Sequence, residues 1–545
     1  MLNNNESPMG KNYWMALILS MVILLGYPVL LRKIIPQKAP VAGVSQSSQS
    51  SQNNVALENT APVLEAPKLA QATLTHYENT VYDIYFSTMG ATLTHLKYKG
   101  QPEKTALTET VFYEGLPAEP GVFGIRFLHE TNDLTQQIFT QVPSDQAGTF
   151  IFSFEKPGEY RLTKKYILSD EKTDITLHLL IENLSSREKH FPIEFLYAFD
   201  HDQSHEMARD VEAVVFQEKV ESKNVSQIAK KEFSFSGELK WAGFLKKYFA
   251  MLAKPDWKPL ENEAVAETGR LRGVLRMDPI SLDAGQRAEQ EIVIYAGPQH
   301  YETLKSFGAD FENVFARGIF GIFKVLLLKA LKFLDGFTHN YGWAIILLTL
   351  FLKGAFTPLT HMSFQSMKKM QALQPKLKSI QERYKKDPTK MNREMMELYK
   401  RNKVNPMGGC LPMLAQIPVF ISFYQVLNGA IELKGAPFIF WIKDLAEPDR
   451  LLSLPFTLPV IGDSLNLLPL LMLISMVWQQ KLTPQSGATP EQTKMMAFTP
   501  IIFGFLFYKM PSGLVLYWFV NNVLSIIHQT FVKKMVVVLH HEDKE

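Results

Sequence analysis

The 545-residue sequence predicts a multidomain membrane protein: an α-helical polytopic bundle of six spans, with a large all-β domain on one side of the membrane and a helical hairpin on the other. Three patterns carry this prediction. Long uncharged runs lie near the N-terminus and in the last third, a polar region with period-two alternation separates them, and a basic, methionine-rich segment interrupts the later runs. The net charge of +3 does not mark a nucleic-acid-binding protein, so we expect no direct sequence-specific nucleic acid binding.

Uncharged runs of spanning length define the expected membrane segments. Residues 13–31 form an uncharged run of 19, enough to cross about 30 Å of hydrocarbon at about 1.5 Å per residue. A cleaved signal peptide is the alternative, but Pro28, Arg32 and Lys33 follow where a small-residue cleavage site would be expected, which favours an uncleaved anchor. Five further spans are expected in the C-terminal third, at 341–359, 408–431, 464–480, 495–508 and 510–532.

A polar region separates the first span from the others. Its first part, 32–71, is rich in Ser, Gln, Asn, Ala and Pro and is expected to be a flexible linker. The second part, 72–305, contains alternating apolar and polar stretches such as 175–183 and 289–297, separated by turn-forming residues. These predict one large antiparallel sandwich held by its core, because the only cysteine is Cys410 and no intrachain disulfide is possible.

A helical pattern follows the sandwich, at 306–337. At 100° per residue, its five charged residues between 317 and 335 share an arc of about 140°, and apolar residues fill the rest. We expect a helix that lies in the membrane interface with its lysines among the headgroups. An amphipathic helix packed on the sandwich is the alternative.

Basic residues predict the orientation of the bundle. The segment 360–407 carries 12 Lys or Arg against 4 Asp or Glu, and such loops stay in the cytoplasm. Counting spans from this segment puts both termini in the cytoplasm and the β domain outside. The charges beside the first span, Arg32, Lys33 and Lys38, taken alone indicate the opposite. The larger count prevails, because whole domains translocate largely regardless of charge.

An intramembrane lysine is the sharpest functional signal. Lys353 lies well inside its span, where a lysine costs about 2.5–3.5 kcal/mol, and Thr349 and Thr357 lie one turn to either side. Polar stripes also run along the third and last spans: Gln425, Asn428 and Glu432, then Tyr517, Asn521 and His528. Stripes of this kind face one another or water, so we expect a hydrated cavity around Lys353. Interhelical hydrogen bonding that only holds the bundle together explains the amides and threonines but not the lysine.

The basic segment 363–404 predicts a hairpin of two helices. Asp387 and Pro388 supply an N-cap and a first helical position for the second helix. Eight of the 22 methionines lie between Met362 and Met413, a concentration suited to adaptable apolar contacts. A contact site for ribosomes or nascent chains, and a solvated hairpin that packs only on itself, both remain open.

Signals for catalysis are weak. His201 and His205 lie among acidic residues, but no third ligand is identifiable, so we expect no metal site. The sequence contains no phosphate-binding glycine loop and no nucleophile elbow, and we expect no cofactor and no enzymatic activity. Two rival functions are a polytopic transporter that uses the intramembrane Lys353 and a membrane-anchored carbohydrate enzyme.

Three segments resemble the motifs of the YidC membrane protein insertases in order, spacing and topology: GWAIILLTLFLKGAFTPLT (342–360), KVNPMGGCLPMLAQIPVF (403–420) and PSGLVLYWFVNN (511–522). The resemblance covers roughly residues 340–535. The anchor, linker and β domain match the longer Gram-negative form, whose periplasmic domain resembles a sugar-mutarotase-like β-supersandwich. The family carries a basic residue, usually arginine, in a hydrophilic groove. Lys353 takes that position and keeps the charge but not the planar fork.

The resemblance implies a membrane protein insertase and chaperone of the inner membrane, acting alone or with the Sec translocon. The implied partners are nascent membrane proteins, the ribosome, the Sec translocon and the phospholipid bilayer. The groove residues expected from it are Lys353, Thr349, Gln425, Tyr517, Trp518 and Asn521, and an apolar slide is expected at Phe420, Phe423 and Phe505. The expected domains are a cytoplasmic N-terminus (1–12), a transmembrane anchor (13–31), a linker (32–71), a periplasmic β-supersandwich (72–305), an interfacial helix (306–337), a five-span core (338–535) with its hairpin (363–404), and a cytoplasmic tail (536–545).

Overall fold

The structure is a computed structural model, and it describes residues 72–542 apart from short gaps. The residues that it leaves undescribed are 1–71, 101–109, 116–118, 129, 131–132, 171, 202–210, 406–410, 459–461, 483–489 and 543–545. The predicted N-terminus, anchor and linker therefore lie outside the described residues. Contacts group the chain into two units, of which the larger contains the β domain and most of the bundle and the smaller contains residues 362–409.

The region 72–305 is built almost entirely of strands, as its alternating pattern predicts. They are β1 Leu74–Glu78, β2 Tyr82–Ser87, β3 Thr92–Tyr98, β4 Thr110–Glu114, β5 Gly124–Phe127, β6 Thr140–Val142, β7 Thr149–Lys156, β8 Tyr160–Leu168, β9 Asp174–Asn183, β10 Lys189–Phe191, β11 Ile193–Asp200, β12 Glu212–Phe216, β13 Val220–Asn224, β14 Phe233–Ser236, β15 Trp241–Lys246, β16 Phe249–Pro255, β17 Pro259–Glu267, β18 Arg270–Met277, β19 Ile280–Leu282 and β20 Arg287–Pro298.

These strands form antiparallel sheets around a shared core. Within the described residues, a nine-stranded sheet has the order β13-β12-β15-β16-β20-β9-β8-β7-β6, a five-stranded sheet has β14-β17-β18-β11-β5, and a four-stranded sheet has β1-β2-β3-β4. Every second residue of β8 and of β9 is buried, because alternate side chains of a strand point to one face. The predicted all-β domain is confirmed, and its aromatic core includes Tyr82, Phe86 and Phe152.

One inward-facing position of β8 holds a charge-bearing residue. Lys164 has no exposed surface, and its Nζ donates to the carbonyl oxygens of Gly90 at 3.1 Å, Ala91 at 2.6 Å and Phe123 at 2.7 Å. Burial lowers the pKa of Lys164 well below its ordinary value. Ala91 and Phe123 have positive φ angles of 47° and 65°, which are strained for residues with a Cβ. The lysine therefore fastens two strained turns to the sheet.

The rest of the chain is mainly helical. Its helices are α1 Val225–Ile228 within the β domain, α2 Tyr301–Ser306, α3 Gly321–Thr338, α4 Tyr341–Ala372, α5 Gln374–Arg383, α6 Pro388–Arg401, α7 Leu411–Gly429, α8 Leu467–Leu482, α9 Pro490–Phe507 and α10 Ser512–Glu542. A two-stranded hairpin, β21 Leu452–Leu458 and β22 Gly462–Leu465, lies between α7 and α8.

A helix occupies each of the five spans predicted in the C-terminal third: α4, α7, α8, α9 and α10. Among the described residues, α4 is the one helix that is both long enough and apolar enough over its length to cross a membrane. Two shorter apolar helical segments are Leu467–Leu482 and Ala497–Phe507.

Two glycines allow close approach where the helices meet. A Cβ on Gly342 would lie 1.9 Å from the ring of Phe438. A Cβ on Gly513, at the start of α10, would lie 2.8 Å from the Leu427 side chain of α7 and 3.2 Å from that of Ile345 on α4. Both glycines belong to the segments that resemble the insertase motifs. The contacts give a packing reason for a glycine at each position.

Helix α3 is the predicted amphipathic helix, but its lysines have partners in the protein. Lys332 Nζ lies 2.7 Å from the carboxylate of Glu432, which is 8% exposed, and Lys324 Nζ lies 3.7 Å from the centre of the Phe315 ring. Most of the side chains that α3 exposes are apolar instead, including Ile322, which is 82% exposed, and Lys329 is the exposed lysine among them. The expectation that the lysines lie among headgroups is therefore wrong for Lys324 and Lys332.

The basic segment forms the predicted pair of helices, α5 and α6. Asp387 caps α6 by accepting a hydrogen bond from the Lys390 backbone N–H at 3.0 Å, and Pro388 is at its start, as predicted. The first helix begins later than predicted. Residues 363–372 belong to α4, and α5 starts after Leu373, beside Pro375, which cannot donate the backbone hydrogen bond that would continue a helix. A small core of Leu373, Leu377, Tyr399 and Val404 joins the two helices.

Candidate functional site

Lys353 projects from α4 between two threonines whose hydroxyl groups are already used. The Thr349 hydroxyl donates to the carbonyl oxygen of Ile345 at 2.6 Å, and the Thr357 hydroxyl donates to that of Lys353 at 2.8 Å. Both bonds stay within α4, and Thr349 is 1% exposed. The polar stripe predicted on this helix is present, but only the lysine reaches out to another helix.

The ammonium group of Lys353 reaches α10. Its Nζ donates to the Ser525 Oγ at 2.6 Å and to the Asn521 Oδ1 at 3.2 Å. The Ser525 hydroxyl in turn donates to the Asn521 carbonyl oxygen at 2.7 Å. Both side-chain acceptors are neutral, and among the described residues no carboxylate lies within ion-pair distance of Lys353. The positive charge is therefore oriented by its neighbours but not cancelled by them.

Two histidines lie on the same side as Lys353. His361 follows it by two turns of α4, and His528 follows Ser525 by one turn of α10. His528 lies within electrostatic range of both Lys353 and His361. The groups that surround the lysine thus add positive charge or none, which makes the site attractive to anions.

Tyr517 and Trp518 lie one turn before Asn521 and are held by packing. The Tyr517 hydroxyl accepts a hydrogen bond from the Gln416 Nε2 of α7 at 3.0 Å, and its ring stacks on Phe423 at 4.7 Å. The Trp518 ring contacts Phe420 edge-to-face at 5.1 Å. Tyr517, Asn521 and Ser525 are spaced four residues apart, so they form one polar stripe along α10.

The structure does not bring all the expected groove residues together. Gln425 is half-buried on α7, nine residues after Gln416 and therefore about 180° around the helix from it. It is Gln416 that reaches Tyr517. Glu432, expected on the same stripe as Gln425, lies in a 3-10 turn after α7 and pairs with Lys332. It therefore does not face Lys353.

The three phenylalanines expected to form an apolar slide differ in exposure. Phe505 on α9 is 58% exposed, whereas Phe423 has no exposed surface because it stacks on Tyr517. Phe420 is half-buried and packs against the rings of Trp518 and Phe507. Phe423 thus belongs to the core of the bundle, and of the three only Phe505 presents a largely open apolar surface.

Two residues of the site were missed in the sequence. Ser525 continues the stripe of Tyr517 and Asn521 at the next helical turn, so its spacing could have identified it. Gln416 lies in the uncharged third span, where an amide needs a partner. Neither stands out as strongly as a lysine, because serine and glutamine are common at helix contacts.

The described residues contain no group of three or more side chains that could hold a metal ion. The segment of His201 and His205 falls mostly on residues 202–210, outside the described part of the chain. No role for a metal or a cofactor follows from the geometry around Lys353, which consists of neutral oxygen acceptors and aromatic rings.

Comparisons with known proteins agree with these features. A model of the 60Kd inner membrane protein family matches residues 333–539, and a model of the YidC periplasmic domain matches residues 75–330. The chain is 34% identical over 556 residues to the membrane protein insertase YidC of Geobacter metallireducens, covering 97% of this chain and 99% of that protein. It is 39% identical over 391 residues to the insertase YidC of Syntrophobacter fumaroxidans, covering 70% of each.

Solved structures give weaker likenesses. A crystal structure of an active YidC insertase with its first transmembrane domain resolved is similar at a TM-score of 0.37 and 18% identity, covering 84% of this chain and 93% of that one. A galactose mutarotase-like protein from Lactobacillus casei has a TM-score of 0.31 at 14% identity and covers 41% of this chain. The relatives matched along their full length establish the assignment: the chain belongs to the YidC membrane protein insertase family.

Proposed function

We propose that this protein inserts hydrophobic segments of nascent proteins into the inner membrane through a polar groove between α4 and α10. It acts as an insertase and chaperone and not as an enzyme, in keeping with the names of its relatives. The observation that supports the groove is the ammonium of Lys353, which is bound by the neutral oxygens of Ser525 and Asn521. An uncancelled cation inside a helical bundle is costly and therefore points to a functional site.

The proposed topology has six spans, with both termini in the cytoplasm and the β domain in the periplasm. Five of the spans correspond to α4, α7, α8, α9 and α10, and the sixth to residues 13–31. The basic hairpin 363–404 then lies in the cytoplasm, where loops rich in Lys and Arg are retained. Helix α3 lies along the outer membrane interface, and its exposed apolar residues, such as Ile322, face lipid.

Insertion begins when the polar tail of a substrate enters the groove. Lys353 attracts an acidic tail, and His361 and His528 add polar side chains one to two helical turns further along α4 and α10. Asn521, Ser525 and the Tyr517–Gln416 pair border this path with hydrogen-bonding groups. A hydrated groove shortens the apolar distance over which the tail must lose its water, which lowers the barrier to translocation.

The tail is released outward when the apolar segment of the substrate moves into lipid. Phe505 and Phe498, 58% and 61% exposed on α9, present an apolar surface for this movement, and Phe420 contributes its half-buried ring. Each Leu, Ile or Phe contributes about 0.3–0.6 kcal/mol at the centre of a membrane helix, so partition of about 20 apolar residues supplies the driving force. The step therefore needs no nucleotide.

The hairpin is proposed to receive the segment from the ribosome or from the Sec translocon. Its small core of Leu373, Leu377, Tyr399 and Val404 leaves most of its basic side chains exposed, and Met362 and Met396 are 65% and 53% exposed. Flexible methionine side chains adapt to apolar sequences of different shape. Exposed lysines and arginines suit the phosphates of ribosomal RNA without sequence recognition.

Insertion by the purified protein in reconstituted vesicles tests this function. Lys353→Glu is expected to abolish insertion of a substrate with an acidic tail, because the groove then repels it. Lys353→Arg, which keeps the charge, is the matched control and is expected to retain insertion. Undiminished insertion by Lys353→Glu would refute the role of the lysine.

A further inference from the structure

The hairpin β21–β22 packs on the helices at Ser464, whereas most of the described residues of β21 are exposed. Ser464 is 8% exposed, and its carbonyl oxygen accepts a hydrogen bond from the Tyr508 hydroxyl at 3.1 Å. Leu452 pairs with Leu465 across the two strands, and these residues are 57% and 38% exposed. Phe456, four residues after Leu452 on β21, is 58% exposed.

The neighbouring loop adds a further apolar group. Phe440 is 88% exposed, has a positive φ of 57° and stacks beside Trp441. The Trp441 indole is fixed in place, because its Nε1 donates to the Asp449 carboxylate at 2.7 Å. Four large apolar side chains are thus displayed to the outside: Phe440, Leu452, Phe456 and Leu465. We call them the hairpin patch.

Hydrogen bonds hold the hairpin and its loop at the ends of three helices. The Asp449 carboxylate accepts from the backbone N–H groups of Leu467 and Leu468, at the start of α8, at 2.9 Å and 2.8 Å. Asn466 donates to the carbonyl oxygen of Tyr508, just after the end of α9, at 2.6 Å. The Ser512 N–H, at the start of α10, donates to the Glu447 carbonyl oxygen at 2.7 Å.

We propose that the hairpin patch inserts into the interfacial region of the outer leaflet and fixes the depth of α8, α9 and α10 in the bilayer. This inference rests on the proposed function, because it places those helix ends at the outer membrane surface. Aromatic and apolar side chains at that level lie among headgroups and upper acyl chains. Large apolar side chains with this much exposed surface favour such an environment, and the hairpin patch is joined directly to the ends of helices that are proposed to span the membrane.

The charges around the hairpin patch indicate which lipids it accepts. Lys443, Arg450 and Lys509 are exposed, and Asp444, Glu447, Asp449 and Asp463 lie in the same part of the chain. The basic residues do not outnumber the acidic ones, so electrostatic attraction to anionic headgroups is not the basis of binding. The basis of binding is instead the burial of the apolar side chains, so a zwitterionic bilayer is sufficient.

Fluorescence of single-cysteine variants tests the proposal on the full chain. In a Cys410→Ser background, an environment-sensitive dye is attached at Phe456→Cys or Leu452→Cys, and at Ser453→Cys as the matched control on the other face of β21. A fourth label at Phe505→Cys reports on the proposed lipid-facing surface of α9. Each variant is placed in phosphatidylcholine nanodiscs with and without bromine on the upper acyl chain.

We expect brominated lipid to quench the labels at 452, 456 and 505 but not the label at 453. Unquenched labels at 452 and 456 beside a quenched label at 505 would overturn the proposal and leave the bundle topology intact. A blue-shifted but unquenched label at 456 would mean burial by protein, and would also overturn it. If the label at 505 is unquenched as well, the proposed topology fails together with the inference. Vesicles of phosphatidylglycerol should give the same quenching pattern, and quenching only there would overturn the apolar basis of binding.

Discussion

The Nζ of Lys353 and the Oγ of Ser525 lie 2.6 Å apart, and this hydrogen bond joins α4 to α10 without a second charge. The serine orients the ammonium and satisfies one of its protons, while the positive charge stays available. A carboxylate at the same place would form an ion pair instead. Position 525 therefore determines whether the lysine attracts a substrate or is neutralised inside the protein.

Ser525→Asp is expected to reduce insertion of acidic-tailed substrates nearly as much as the loss of the lysine charge. The new carboxylate reaches Lys353 at hydrogen-bond distance and cancels its field. Ser525→Asn is the matched control, because asparagine has nearly the size of aspartate but no charge, and it is expected to retain insertion. The measurement is the yield of protease-protected substrate in vesicles, and equal yields from the two variants would contradict a role for the free charge.

Lys164→Met is expected to destabilise the β domain. The change leaves the Gly90 carbonyl oxygen buried without its donor, at a cost of about 1–3 kcal/mol, and it weakens the hydrogen bonding of the Ala91 and Phe123 carbonyl oxygens, which keep the Tyr166 hydroxyl as a donor. Lys165→Met, on the opposite face of β8, is the control and should change stability little. Calorimetry of the full chain in detergent measures the difference. A Lys164→Met unfolding temperature equal to that of the control would show that the three hydrogen bonds contribute nothing net.

Lys324 is expected to make stability depend on pH. Burial, with repulsion from Arg317, lowers its pKa from 10.5 to about 7 in the folded chain. Above pH 10.5 the lysine is neutral in both the folded and the unfolded chain and does not lower the free energy of unfolding. As the pH falls from 10.5 to about 7, the unfolded chain binds the proton first, so the free energy of unfolding decreases. The slope is at most about 1.4 kcal/mol per pH unit.

Denaturant titrations of the full chain in detergent at pH 7, 8 and 9 measure this dependence. Lys324→Met should flatten the rise in the free energy of unfolding between pH 7 and pH 9. Lys329→Met, an exposed lysine of the same helix, should leave the rise unchanged. A slope that persists in Lys324→Met would assign the pH dependence to another group.

Glu432→Gln is expected to loosen α3. It removes the charge that pairs with Lys332 at 2.7 Å in a site where Glu432 is 8% exposed, and loss of one partner of a buried pair costs about 3–5 kcal/mol. The Lys332 side chain is partly exposed, so the lower end of that range is expected. Limited proteolysis between α2 and α4 should become faster in Glu432→Gln. It should stay unchanged in Glu447→Gln, whose partner Arg450 is 3.9 Å away on the surface.

The sequence predicted the elements whose patterns are local. Period-two alternation located β9 and β20, and the Asp387–Pro388 pair located the start of α6. Lys353 could be identified because a charge in an apolar run is costly wherever it lies in the fold. The acceptors of its protons could not be identified with the same certainty, because serine and asparagine in a helix have several possible partners.

Contacts between distant segments account for what the sequence did not predict. Phe423 looks the same in the sequence as Phe505, and only its stacking on Tyr517 makes it a core residue. Glu432 continues a helical spacing, but the helix ends before it and Lys332 approaches from 100 residues earlier in the chain. Lys164 stands at a buried position of β8 that is otherwise typical of an apolar residue. It is there because its ammonium group donates to carbonyl oxygens in two turns that are far away in the sequence.

Photocrosslinking to a stalled nascent membrane protein tests the groove most directly. A crosslinking amino acid at Thr357, one turn from Lys353, is compared with one at Phe351, which is 72% exposed and points about 160° away from Lys353 around α4. The account predicts crosslinks from position 357, but not from 351, to the acidic tail of the substrate, and their loss when the tail is made basic. Tail crosslinks from position 351 without any from 357 would contradict it.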